Sequence, residues 1–169
     1  HEARVQKVME MHPEKWEAKK KYGGEIYVEK KFPRIEYLSD GPAVYEFDGY
    51  KTFSLPGAYS VDKWYRLNHG WAWFEDEQLS EEEMNTGRKI KEVEPEIDLV
   101  ISHTCPISYE QRDLFLPYIS QETVDKRMEQ YLGEIEEGLS YKRWAFGQFH
   151  ADRLYPWKDG RQRLMLFNR

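Results

Sequence analysis

The sequence predicts a mixed α/β domain, and three of its features say so. Residues 97–102 form a short β-branched apolar run limited by Pro95 and Pro106, the pattern of a buried strand rather than a helix. A helical stretch then leads to a second strand candidate at 141–146. A strand–helix–strand unit of this kind sets its two strands parallel, with both exit loops at one edge of the sheet. Residues 44–47 and 50–55 flank Asp48-Gly49, a turn pair that joins antiparallel strands. Strands in this order with intervening helices make a sheet covered by helices.

Along the chain, Val5, Val8, Met9 and Trp16 recur at helical spacing over residues 2–21, with Pro13 as a break and Gly23-Gly24 as the stop. Short strands are expected at 25–29 and 35–38, interrupted by Phe32-Pro33 and followed by the turn Ser39-Asp40-Gly41-Pro42. Residues 60–77 crowd Trp64, Tyr65, Trp71 and Trp73 among charges without a period, which reads as a long ordered loop held by aromatic burial. Ser80 with Glu83 three residues later is a capping box that starts a polar helix over 81–93. Beyond the 97–102 strand, 107–115 is a loop or short helix. Ser120 begins a helix with the stripe Val124, Met128, Tyr131, Leu132 and Ile135, ended by Gly138. Residues 147–150 are the exit loop of the 141–146 strand, and a last strand at 164–167 follows the turn Lys158-Asp159-Gly160.

A chain of 169 residues with 40% hydrophobic content suits one domain with a real core. No run approaches the roughly 20 apolar residues of a membrane span, so no membrane partner is expected. The net charge of -6 argues against a general attraction to nucleic acid, and a phosphorylated substrate would need local cations or metal ions. One cysteine, Cys105, excludes an internal disulfide and fits a reducing, cytoplasmic setting.

His103 and His150 follow the two parallel strands, and ligands bind at that edge of open α/β sheets. Neutral imidazoles make them a candidate metal pair; the bland alternative is two histidines that cap strands and bond backbone. Two ligands fall short of the four or so that a transition metal takes. Arg66, Lys63 and Asp62 form a second group. Either Arg66 and Lys63 contact a substrate phosphate, or the three make a loop-anchoring ion-pair cluster, the commoner use of such residues. Cys105 beside His103 suggests a nucleophile, but Pro106 follows at once and no second histidine is placed to activate the thiol, so a small buried thiol is expected. Trp64, Trp71 and Trp73 are expected to pack rather than to stack bases. His12 and His69 have no neighbours that suggest a role.

Two stretches carry a family resemblance. Ser102-His103-Thr104-Cys105-Pro106 and Trp144-Ala145-Phe146-Gly147-Gln148-Phe149-His150 resemble the last two motifs of the calcineurin-like metallophosphoesterases, an isolated strand-end His and a Gly-His-x-His. Residues 53–66, with Gly57-Ala58, Ser60, Asp62-Lys63 and Arg66, resemble a bacterial and phage subgroup. The resemblance covers most of the chain in the family's order. It implies an αββα sandwich with mixed sheets, of which residues 1–169 would be the C-terminal part. It also implies hydrolysis of a phosphoester substrate, phosphatase or phosphodiesterase, by water activated at two divalent metals, with Mn expected first and Fe, Zn or Mg as alternatives. Two cations about 4 Å apart acidify a shared water and neutralise phosphate oxygens.

Carried over by position, His1 would be the catalytic histidine, since His1-Glu2 matches the end of the family's third motif, Gly-Asn-His-Glu. His103 would ligate the second metal and His150 the first. Gln148 departs from the pattern, standing where the family has a ligating His, and its amide oxygen is a harder and weaker donor than imidazole for transition metals. The remaining ligands are expected in an upstream N-terminal segment, so the chain alone is expected to be inactive. A non-catalytic binding or scaffold protein that keeps the architecture after losing the second metal site at Gln148 is the competing expectation. A plain α/β domain with structural histidines is a third.

Overall fold

The structure is a computed structural model that describes residues 4–156 and 160–166. In chain order, α1 (Val5–Met11) precedes β1 (Trp16–Lys21), β2 (Gly24–Glu29), β3 (Tyr37–Leu38), β4 (Ala43–Phe47) and β5 (Tyr50–Leu55). Then come α2 (Lys63–Asn68), α3 (Glu81–Val93), β6 (Glu96–Ser102), α4 (Arg127–Glu136), β7 (Ser140–Phe146), β8 (Arg153–Pro156) and β9 (Gln162–Met165). These elements make a mixed α/β fold with two sheets, an antiparallel β1-β2-β3 and a six-stranded β4-β5-β6-β7-β9-β8. In the larger sheet β5, β6, β7 and β9 run parallel, while β4 and β8 are antiparallel edge strands. No helix among the described residues is long and apolar enough to cross a membrane.

Parallel strands need crossovers, and here α3 joins β5 to β6 and α4 joins β6 to β7. Both helices bury their apolar stripes against the sheet. Met84 of α3 and Met128, Leu132 and Ile135 of α4 pack on Phe53, Leu55, Val100, Trp144 and Phe146. Each fully buried side chain of this kind contributes about 1.5–3 kcal/mol. The capping box forms as expected: Glu83 N donates to Ser80 Oγ at 3.3 Å and Ser80 N donates to Glu83 Oε2 at 2.7 Å. Gly87 in mid-helix marks where α4 comes closest. A Cβ there would lie 1.9 Å from the Tyr131 hydroxyl oxygen.

The small sheet has its own core of Ile26, Val28 and Tyr45. Tyr45 comes from β4 of the large sheet, and its hydroxyl donates to Glu25 O at 2.7 Å and accepts from Ser39 N at 2.9 Å.

Four expectations change. The helical pattern expected over residues 2–21 ends at Met11, two residues before Pro13, and Trp16–Lys21 is a strand instead. Tyr22 and Gly23 both take positive φ, 56° and 81°, the type I′ turn that pairs Lys21 with Gly24; the glycines that looked like a helix stop close a hairpin. Residues 60–77 contain α2 and a 3-10 turn at Glu75–Glu77, and Trp64, Tyr65 and Trp71 stand more than half exposed. Polar bonds hold this stretch, since the Glu77 carboxylate accepts from Ser60 N at 2.7 Å, Ser60 Oγ at 2.5 Å and Trp73 Nε1 at 3.1 Å. The helix expected from Ser120 starts at Arg127, after a 3-10 turn at Gln121–Thr123. Strand β8 carries no apolar alternation that announces it, and the expected strand end at Phe167 lies outside the described residues.

Candidate functional site

Strands β6 and β7 pair in register, Val100 with Trp144 and Ser102 with Phe146. The residues that follow each strand therefore emerge side by side, at the edge where parallel sheets gather ligand-binding loops. A short network fixes the turn after β6. Trp144 Nε1 donates to Ser102 Oγ at 2.8 Å, Ser102 Oγ to Thr104 O at 2.5 Å, and Thr104 Oγ1 to the buried Glu129 Oε1 at 2.8 Å. Gly147 N donates across to His103 O at 3.0 Å. His103 is thus held from both sides, and the residue, still partly open to solvent, borders a cleft of about 1040 Å³.

Crowding by the cleft walls pulls the His103 pKa below the ordinary histidine value. The side-chain hydrogen bond to Gln148 and the Glu77 carboxylate oppose that shift, and nearby His150 adds to it. The lowered pKa favours the neutral ring, the form that ligates metals.

The exit loop of β7 is strained. Gln148 and His150 adopt φ of 67° and 53°, a left-handed region that costs a non-glycine residue on the order of 1–3 kcal/mol and recurs at functional sites. Gln148 Nε2 reaches Tyr59 O at 3.3 Å, which turns the amide oxygen toward His103. Phe149, between the two strained residues, packs edge-on against Phe146 at 6.3 Å.

His103, Gln148, His150 and Arg66 all border the cleft. Arg66 donates from Nε to Asp62 Oδ2 at 2.8 Å and from Nη1 to Ala72 O at 3.4 Å, so Asp62 orients it. Lys63 lies elsewhere, its Nζ 3.8 Å above the Trp73 ring and 5.3 Å from the Trp64 ring. His69 bonds Tyr65 O at 2.8 Å and stacks on the Tyr65 ring. His12 is on the surface, and His1 lies outside the described residues. Cys105 is wholly buried and burial pushes its thiol pKa far up, the condition of an inert thiol. Sequence reasoning missed Glu77, Thr104 and Glu129, because a carboxylate inside a charged stretch or beside an apolar stripe looks like solvated surface.

By donor type, two imidazoles suit one side of a transition-metal site and an amide oxygen is a weaker third donor. They do not complete one: among the described residues no group of three or more His, Cys, Asp or Glu side chains is placed to hold an ion. No family model, curated protein or solved structure matches the chain.

Proposed function

We propose that the cleft is the metal- and phosphoester-binding side of a calcineurin-like metallophosphoesterase whose six-stranded sheet is one layer of an αββα sandwich. In this reading His103, His150 and Gln148 are ligands of a divalent metal pair, Mn first, and further ligands come from an upstream segment. The observation that supports it most is the pairing of β6 with β7, which releases His103 and the strained Gln148–His150 loop next to each other over one cleft. Bound metals supply Lewis acidity toward phosphoryl oxygens and acidify a water. The chain's own groups do the rest. His103 is positioned by the turn after β6, with its pKa held down by burial, and Arg66, oriented by Asp62, offers its guanidinium to a phosphate oxygen. His1 protonates the leaving group.

Titration of the complete protein with Mn(II), alongside hydrolysis of bis(p-nitrophenyl) phosphate, tests this. His103→Ala and His150→Ala are each expected to lower metal affinity and turnover at least about tenfold. Unchanged activity in both variants, or no divalent binding by the parent, ends the reading. One observation favours the scaffold alternative: the Gln148 amide is already engaged by Tyr59 O and His103. Gln148→His separates the two, since a rise in activity marks a weakened enzyme and continued inactivity marks a scaffold.

A further inference from the structure

The part of the cleft lined by the connection before α4 has a different chemistry from the end at His103. Residues 103–126 connect β6 to α4 through three short 3-10 turns, Ile107–Tyr109, Arg112–Leu114 and Gln121–Thr123. A connection of this length without a longer element is uncommon in a compact domain, and one use of such connections is a binding loop. Leu114, Phe115, Leu116, Ile119 and Val124 of this segment line the cleft. Leu116 stays 42% exposed there, so the concavity holds apolar surface open to solvent. The wall is tied to the strained loop by Phe115 and Phe149, whose rings lie nearly parallel, at 14° and 6.4 Å between centroids. Lys126, paired with Glu110 at 2.6 Å, sits 4.8 Å from the centre of the Phe115 ring. A phosphate with a small polar alcohol would fill the polar end and leave this wall hydrated.

We propose that the wall formed by Phe115, Leu116, Ile119 and Val124 is a subsite for an aryl group, which makes the substrates small phosphoesters of aromatic alcohols. The phosphate half of this statement rests on the function proposed above; the aryl half rests on the wall alone. A ring beside Phe115 and Phe149 gains offset or edge-to-face contacts and removes the Leu116, Ile119 and Val124 side chains from water.

Methyl NMR of the complete protein with Mg(II) present reads occupancy without turnover, using benzyl alcohol, phenylphosphonate and methylphosphonate as probes. The two aryl probes are expected to shift the Leu116, Ile119 and Val124 methyls saturably, and methylphosphonate to leave them in place. Leu116→Asp, a change at a solvent-open position, is expected to weaken both aryl probes at least fivefold without lowering Tm, and Phe115→Ala to weaken them as well. No saturable shift at these methyls with either aryl probe, or undiminished binding to both variants, overturns the subsite. If phenylphosphonate binds no tighter than benzyl alcohol while both fill the wall, the aryl subsite stands and the phosphoester reading falls.

Discussion

Thr104→Val tests the network that fixes His103. Thr104 is wholly buried and Glu129 is 7% exposed, with the Thr104 hydroxyl 2.8 Å from Glu129 Oε1. The second carboxyl oxygen, Oε2, has no hydrogen-bond partner among the described residues. Removing the hydroxyl leaves a buried acceptor unsatisfied, a loss of about 1–3 kcal/mol. For a chain of this length a loss of ~2 kcal/mol lowers Tm by about 4–8 °C. The loss also depends on pH. Burial holds the Glu129 pKa above the ordinary carboxylate value, against the lowering effect of the Thr104 hydrogen bond. A raised pKa contributes stability below the unfolded value that disappears as pH rises through the folded one. Without the hydroxyl the folded pKa climbs further, so the variant is expected to fall further behind the parent as pH increases. Urea unfolding of both proteins across pH 5–8 measures this. A difference under about 0.5 kcal/mol, or one that grows toward acid, refutes the reasoning.

Gln148→Gly and Gln148→Ala both remove the side chain, so their difference isolates the backbone at φ 67°; the glycine variant is expected to be about 1 kcal/mol more stable by urea unfolding, and equal stabilities would contradict the assigned strain. Gly87→Ala, whose new Cβ meets the Tyr131 hydroxyl, is expected to cost about 1–3 kcal/mol. Tyr131→Phe removes a hydroxyl without a partner among the described residues, so it is expected to be neutral or slightly stabilising and to relieve most of the Gly87→Ala loss; an additive double mutant argues against the contact. Cys105 is expected to react with Ellman's reagent at least 100-fold more slowly in the native protein than in urea, because the thiol is reached only through opening, and fast native labelling would place it at the surface.

The α/β class, the Asp48-Gly49 hairpin, the capping box at Ser80 and the parallel placement of β6 and β7 were legible because each rests on local patterns: β-branched runs, a turn dipeptide, a spacing of three. From these follows the proximity of the His103 and His150 segments. Trp16–Lys21 was misread because its apolar residues are few and Trp16 falls by chance on the helical phase of Val5 and Val8. Only long-range pairing with the Ile26-bearing strand makes it β. Sequence alone points the rings of α2 into the core, because size and hydrophobicity do not report direction, and the structure leaves them exposed. The apolar wall of the cleft was invisible for the opposite reason. Leu114, Phe115, Leu116 and Ile119 have no period, and their common direction comes from tertiary folding alone.

Tyr45 is a member of one sheet by hydrogen-bonded pairing and of the other by packing. It joins two cooperative units of unequal size: the α3–α4-covered sheet with its large core, and the three-stranded flap whose core is a few side chains. Small units with little buried apolar surface open first, so the flap is expected to open before the strands that carry His103 and His150 unfold. That opening has a reach beyond the flap. Asp40, just past β3, accepts from Val5 N and Gln6 N at 3.2 and 2.7 Å, and Asp40, Arg4 and Val5 border the cleft. The cleft is therefore bounded in part by a segment that contributes none of its chemistry, so a substitution that loosens the Tyr45 seam is expected to reshape the cleft border while the β6–β7 edge keeps its register.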